Sequence, residues 1–293
     1  MRPCDSVSLT GAGVHSGSAS SLALILRKGP GLRGPRFRFP GLPDLGPGDL
    51  AALPRRAQRA TVLGEAGQMR TPEHLLAALL FFRDEPLDIT CDAPEPPGLD
   101  GSALPFREAM AALAPARAAA PAWREYPCDL RWEHGWEYGY IRVRPAPFFR
   151  VCFELDRPPL RETYALEGPA AAWREILPAR TFAFHREWRE AMDSADGLMA
   201  GAGIDSGLLL AESEGEHREL GTAHPEWAAG PFPILNQREW RVAAEPAKHK
   251  ILDLLGDLAL LGLSLPALDI EIRNGGHPIN HLLLEKLTHG RAS

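Results

Sequence analysis

The chain has 293 residues, room for two domains of the usual ~150 residues, and its 45% hydrophobic and 24% charged content is that of a soluble globular protein. A net charge of −6 without any dense Lys/Arg cluster argues against phosphate neutralisation, so nucleic acid is not an expected partner. No apolar run approaches the ~20 residues of a transmembrane helix, no signal-peptide core is visible, and Cys4, Cys91, Cys128 and Cys152 show no disulfide or metal-knuckle spacing, so a reducing, cytoplasmic setting is expected.

Residues 7–26 open with a glycine-punctuated turn, LTGAGVHSG, carrying His15 at its tip, and run into the apolar strand LALIL. Pro, Gly and Arg dominate 29–58 around one short strand at 37–39. RTPEHLLAALL, from Arg70 to Leu80, signals a helix start, with Thr71 as N-cap and Pro72 at the first helical position. Glu73 and His74 then share the first turn, about 100° apart around the axis, able to face one cavity wall while addressing different atoms. LDIT at 87–90 reads as a strand, PEPPGLDGSALPF at 94–106 as a long loop, and 107–119 as an Ala-rich helix fading into an Ala/Pro segment. That segment, near 114–123, is the expected boundary between a first domain of residues 1–120 and a second of 121–293.

In the second half, YIRVRP at 140–145 and FRVCFEL at 149–155 read as strands, and a helix is expected around 169–177. RTFAFH at 180–185 alternates, placing Phe182 and Phe184 on one face and Thr181 and Ala183 on the other. Residues 185–196 read as a helix and 197–210 as a glycine loop followed by a strand. No helical pattern follows the loop, so it is not a dinucleotide fingerprint. The most informative stretch is Glu245 to Gly262, where His249, Asp253 and Asp257 recur every four residues along one helix stripe and Leu and Ile fill much of the rest. Carboxylates buried beside an imidazole cost several kcal/mol unless a cation or a hydrogen-bond network answers them. A metal is the simplest answer: Asp and His are ordinary zinc ligands, and two from one helix leave room for a third and a water. A hydrogen-bonded core pair or an exposed ion pair is the other reading of this spacing. LDIEI at 268–272 then reads as a strand, NGGHP at 274–278 as a tight turn presenting His277, and 279–288 as a closing helix.

Taken in order and spacing, TPEHLLAAL, DGSALPF, RTFAF, HKILDLLGD and GGH closely resemble the UDP-3-O-acyl-N-acetylglucosamine deacetylases, zinc amidases of lipid A biosynthesis in Gram-negative bacteria. The resemblance runs over nearly the whole chain. It implies an α+β fold of two domains, each a small sheet with helices, the helices sandwiched between the two sheets. It implies a Zn2+ site of His74, His249 and Asp253, with Glu73 as general base, His277 as acid and charge stabiliser, Thr181 helping to hold the oxyanion, and Asp257 supporting the catalytic His. Lys250 matches a substrate-binding Lys and Phe184 an aromatic of the substrate cleft. The apolar face that Phe182 and Phe184 share is expected to line the acyl passage, with His15 near the site floor. The expected substrate is a UDP-linked acylated amino sugar, losing its N-acetyl group to water, and the expected state is a monomer. Pro246, Ala247 and the GAGIDSGLLLAES run depart from the family pattern near substrate. Two rivals are a zinc-binding paralogue without turnover or with altered specificity, and a metal-free HxxxD acyltransferase with His249 as base.

Overall fold

The computed structural model describes residues 5–53, 55–57, 60–193, 201, 205–237 and 239–289. The first half contains β1 (Ser6–Ala12), β2 (Ala19–Leu26), β3 (Arg36–Arg38), β4 (Arg55–Ala57), β5 (Thr61–Leu63), β6 (Met69–Arg70), α1 (Glu73–Leu79), β7 (Leu87–Cys91), α2 (Leu104–Leu113) and α3 (Pro115–Ala119). Strands β1, β2, β7 and β3 form one sheet in that order, and β4, β5 and β6 a small antiparallel one. The period-2 pattern explains the first sheet: Leu22 and Leu24 on β2 and Leu87, Ile89 and Cys91 on β7 are buried, while their neighbours face outward.

The second half contains β8 (Glu125–Pro127), β9 (Trp132–Trp136), β10 (Gly139–Pro145), β11 (Arg150–Arg157), β12 (Leu160–Glu167), α4 (Pro169–Ala171), β13 (Phe182–Phe184), α5 (His185–Met192), β14 (Leu208–Leu210), α6 (Glu214–Ala223), α7 (Glu245–Ala259), β15 (Leu265–Arg273) and α8 (His277–His289). The second sheet runs β12-β11-β15-β10-β9, with β8 pairing β15 further along; β11 and β8 lie parallel to β15. Strands β13 and β14 form a separate parallel pair, beside a small apolar cluster of Leu209, Ala211 and Leu235 with Trp188, Leu220 and Trp227 packed on it.

Helix α2 packs on β1 and β2, α1 packs on α2 and α7, and α7 rests on β11, β12 and β15. The helices therefore lie between the two larger sheets, the α+β arrangement that the resemblance implied. Gly256 marks the crossing of α1 and α7. A Cβ there would lie 2.1 Å from the Glu73 carbonyl oxygen, so this approach requires glycine. No helix among the described residues is long and apolar enough to cross a membrane.

Several local expectations are corrected. LTGA is the end of β1, and the turn is confined to residues 13–18. Thr71 does not cap α1: it sits at φ 49° and its hydroxyl donates to Glu95 instead, while the helix begins at Glu73. The Ala-rich helix starts at Leu104 and breaks at Ala114, because the residue before Pro115 is pushed out of helical geometry. The helix expected near 169–177 is a turn of α followed by a π turn over 172–176. Most of the glycine loop, 197–200 and 202–204, lies outside the described residues, as do 194–196 of the expected helix. His277 is the first residue of α8 rather than the tip of a turn.

Candidate active site

Helix α7 carries three of the site's groups on its buried stripe, and His249, Asp253 and Asp257 are all at most 2% exposed. The Nδ1 of His249 donates to the carbonyl of Ala179 at 3.1 Å, which turns the lone pair of Nε2 toward Asp253 Oδ1, 3.2 Å away. His74, from the first turn of α1, brings its Nε2 to 3.7 Å from the same oxygen, its ring edge-on to that of His249 with centroids 5.0 Å apart. One donor atom from each of the three lies within 4.8 Å of the others. Burial lowers the pKa of His249 and keeps its imidazole neutral. Burial works against an ionised Asp253, yet Lys250, at 3.0 Å, and then His249 outweigh it and hold the carboxyl well below its usual range. An ionised carboxylate and imidazole nitrogens, one fixed in orientation by a backbone carbonyl, are the donor set a catalytic zinc site takes.

One turn along α7, Asp257 anchors a second group. Its Oδ2 accepts from His277 Nδ1 at 2.8 Å and from Asn280 Nδ2 at 2.9 Å, and its Oδ1 accepts from the Thr61 hydroxyl. His277 Nε2 faces Glu73 Oε1 at 3.6 Å and Asp253 Oδ2 at 4.0 Å. Burial disfavours the imidazolium, but the charge and hydrogen bond of Asp257 outweigh it, with Glu73 and Asp253 adding, and push the His277 pKa up to about 10. Burial raises Glu73 to about 8, opposed by His277 and reinforced by the Asp257 and Asp253 charges. Asp257 itself lies well below the usual carboxylate range, His277 overcoming the burial that opposes its ionisation.

These groups border a cavity of about 1150 Å3 lined by Glu73, His74, Thr181, Phe182, His249, Lys250, Asp253 and His277 near the cluster, and elsewhere by His15, Tyr138, Arg157, Trp188 and Trp227. Thr181 is set into the wall by two backbone bonds, donating to Gly101 and accepting from Leu208, both at 2.7 Å. The preceding Arg180 clamps this segment to the start of α7 through a buried ion pair with Glu245, at 2.7 Å and 3.0 Å. Lys250 Nζ lies 5.3 Å from the ring centre of Phe182.

The structure thus brings together Glu73, His74, His249, Asp253, Asp257 and His277. Thr181, Phe182, Lys250 and His15 line the cavity, and Asp257 stands behind His277 rather than in the wall. Phe184 differs from expectation: it is fully buried, with the Arg157 guanidinium 4.2 Å over its ring, and is not a lining residue. On so short a strand, Phe182 faces the cavity while Phe184 is covered by Arg157 and the core.

The sequence reading missed four groups. Glu95, 1% exposed, accepts from the backbone N–H of His15 and Ser16 and from the Thr71 hydroxyl, tying the 13–18 turn to the entry of α1. Thr61, Asn280 and His281 surround Asp257. Asn280 and His281 follow His277 at helical spacings of three and four, a signal that was available. Nothing local marks Thr61 or Glu95.

The sequence profile of a family described as "LpxC: UDP-3-O-acyl N-acetylglycosamine deacetylase" matches residues 4–224 and 228–289. The chain belongs to the LpxC family. Among LpxC relatives, it is 31% identical over 287 residues to the "Bifunctional enzyme LpxC/FabZ" of Chlorobaculum tepidum, covering 92% of this chain but 60% of that protein. It is 31% identical to the "UDP-3-O-acyl-N-acetylglucosamine deacetylase" of Anaeromyxobacter dehalogenans, covering 96% of this chain and 84% of the relative. The Synechocystis protein of the same name is 29% identical, over 96% of this chain and 95% of its own length.

Proposed function

We propose that this LpxC-family chain hydrolyses the N-acetyl group of UDP-3-O-acyl-N-acetylglucosamine, releasing acetate and the free amine, as a zinc-dependent step of lipid A biosynthesis. The observation that carries the reading is the convergence of a His-His-Asp donor set with an acid/base pair, Glu73 and His277, 3.6 Å apart at one end of a cavity of about 1150 Å3.

An amide is a poor electrophile with a poor leaving group, so its hydrolysis needs a nucleophile at neutral pH, a place for the oxyanion, and a proton for nitrogen. Zinc held by His74, His249 and Asp253 supplies a Lewis acid that activates water and polarises the carbonyl. Ionised Glu73, adjacent in sequence to His74, takes a proton from the attacking water; its burial makes it a stronger base than an exposed Glu. His277, kept cationic by Asp257, faces the oxyanion and delivers its proton to the departing nitrogen as the C–N bond breaks. Thr181 offers a neutral donor to the same oxyanion. Lys250 and Phe182 border the entry for the charged and apolar parts of the substrate.

The two sheet-and-helix layers are read as two domains joined near 114–123, with Glu73 and His74 supplied by the first and the remaining catalytic groups by the second. A monomer is the proposed functional state. The free thiols of Cys91, Cys128 and Cys152 support a reducing, cytoplasmic setting.

Mutation separates the roles. His249→Ala should lose zinc and turnover together, whereas Glu73→Gln and His277→Gln should keep zinc and lose kcat by ~10²–10⁴-fold. Metal analysis and kinetics on the same preparations decide; a His277→Gln protein stripped of metal, or a His249→Ala protein with full zinc and normal turnover, would sink the assignment.

A further inference from the structure

Helix α8 brings a second histidine toward Asp257 that the proposed chemistry does not use. His281 is buried, one turn beyond His277 on the same helix face, and its Nε2 lies 2.9 Å from Thr61 Oγ1. The Thr61 hydroxyl in turn donates to Asp257 Oδ1, joining residues 196 positions apart in the chain.

The direction of these bonds follows from counting protons. A threonine hydroxyl has one, and here it is committed to a carboxylate that can only accept. Thr61 Oγ1 can therefore only accept from His281, whose Nε2 must carry a hydrogen. The chain of donors runs from His281 Nε2 through Thr61 to Asp257 Oδ1. On the other side, Asp257 Oδ2 accepts from His277 Nδ1 and Asn280 Nδ2. With both oxygens engaged by three donors from two elements, β5 and α8, the carboxylate has one rotamer that satisfies all its partners. In that rotamer, Oδ2 holds the Nδ1–H of His277 and turns its Nε2 toward Glu73.

We propose that Thr61 and His281 are positioning residues that lock Asp257 in the rotamer aiming His277 Nε2 into the cavity. Neither touches the cavity wall, so neither contacts substrate. The kinetic part of the inference rests on the proposed deacetylase reaction; the geometric part does not.

The test uses the full chain carrying zinc. Thr61→Val keeps the shape and removes the hydroxyl, Thr61→Ser keeps the hydroxyl and removes the methyl, and His281→Leu removes the far donor. Partners of this kind typically contribute about 10–100-fold to activity, so Thr61→Val and His281→Leu should lose that much kcat with KM and zinc stoichiometry little changed. Thr61→Ser should retain wild-type kcat. Proton NMR of the imidazoles provides an activity-independent readout: the hydrogen-bonded Nδ1–H of His277 should be sharp and downfield in the wild type and Thr61→Ser, and broadened or shifted in Thr61→Val. Wild-type kcat and an unmoved resonance in Thr61→Val would overturn the proposal. So would a Thr61→Ser protein as impaired as Thr61→Val, since that assigns the role to the methyl group's packing. A wild-type protein without turnover on the UDP-sugar would remove the reaction assignment, and the resonance alone would then decide the positioning role.

Discussion

Asp257 does its work through the charge it confers on His277, and that gives a pH dependence with a definite sign. The folded-state pKa of His277 is raised from 6.5 to about 10, so its contribution to stability is fully present below 6.5 and is lost as pH rises through 10. Glu73, raised from 4.5 to about 8, acts in the same direction: folding favours its protonated form, and that contribution disappears between those values as the pH climbs. Urea unfolding of the metal-free protein should therefore show stability falling from pH 6.5 toward 10. Asp257→Asn should flatten the part due to His277 and move the alkaline limb of kcat/KM to lower pH. An unchanged slope and limb in that variant would show that His277 does not depend on Asp257 for its charge. These residues were readable in the sequence because each falls in a motif whose chemistry is local: a Glu-His pair at a helix start, and an Asp stripe four residues apart. Glu95 and Thr61 were not, because their partners lie 80 and 196 residues away and only packing brings them together; His281 was marked by its helical spacing from His277, but its partner Thr61 lies 220 residues away.

The decisive event at the scale of elements is the crossing of α1 and α7 at Gly256. In an exposed helix, replacing Gly by Ala stabilises by up to about 1 kcal/mol. Here the added Cβ would meet the Glu73 carbonyl oxygen at 2.1 Å, backbone against backbone, so Gly256→Ala should instead lower stability by about 1–3 kcal/mol, as overpacked cores do. It should also displace Glu73 and His74, so thermal unfolding and zinc stoichiometry should fall together; a stabilised variant with full zinc would contradict the crossing. The two phenylalanines of β13 also part company. Phe184→Ala should chiefly destabilise, by about 3–5 kcal/mol, because the ring is wholly within the core. Phe182→Ala should leave stability nearer wild type and raise KM for long-acyl substrate more than for a short-acyl analogue. Equal effects on both analogues would remove Phe182 from the acyl path. The helical stripe of α7 and the alternation of β2, β10 and β11 were legible because burial is one-sided or complete there. The α1 cap was misread because Thr71 answers to Glu95, a competitor no local pattern reveals.

For the whole molecule, the proposed metal ligands come from both layers of the fold: His74 lies on α1, ahead of β7 of the first sheet, while His249 and Asp253 sit on the helix that rests on the second sheet. Zinc bound to this set would therefore stabilise the packing of the two layers by mass action, by about 2.7 kcal/mol when free zinc is 100 times its Kd. Chelation should lower Tm, and readdition should restore it in proportion to the logarithm of the zinc concentration; a Tm indifferent to chelator would place the metal elsewhere. Individual strands and helices, β14 and α5 among them, were legible from their patterns, and the α+β layering from the family resemblance, whereas the part of the far wall built by α6 was not, since none of that helix's residues is buried. That division bears on small-molecule design. A compound whose head alone grips the His-His-Asp set meets groups that any protein doing this chemistry must present, and it cannot choose among them. One whose tail extends to Trp188 and Trp227 meets aromatic surface away from the metal and acid/base cluster, so any selectivity it gains comes from the tail.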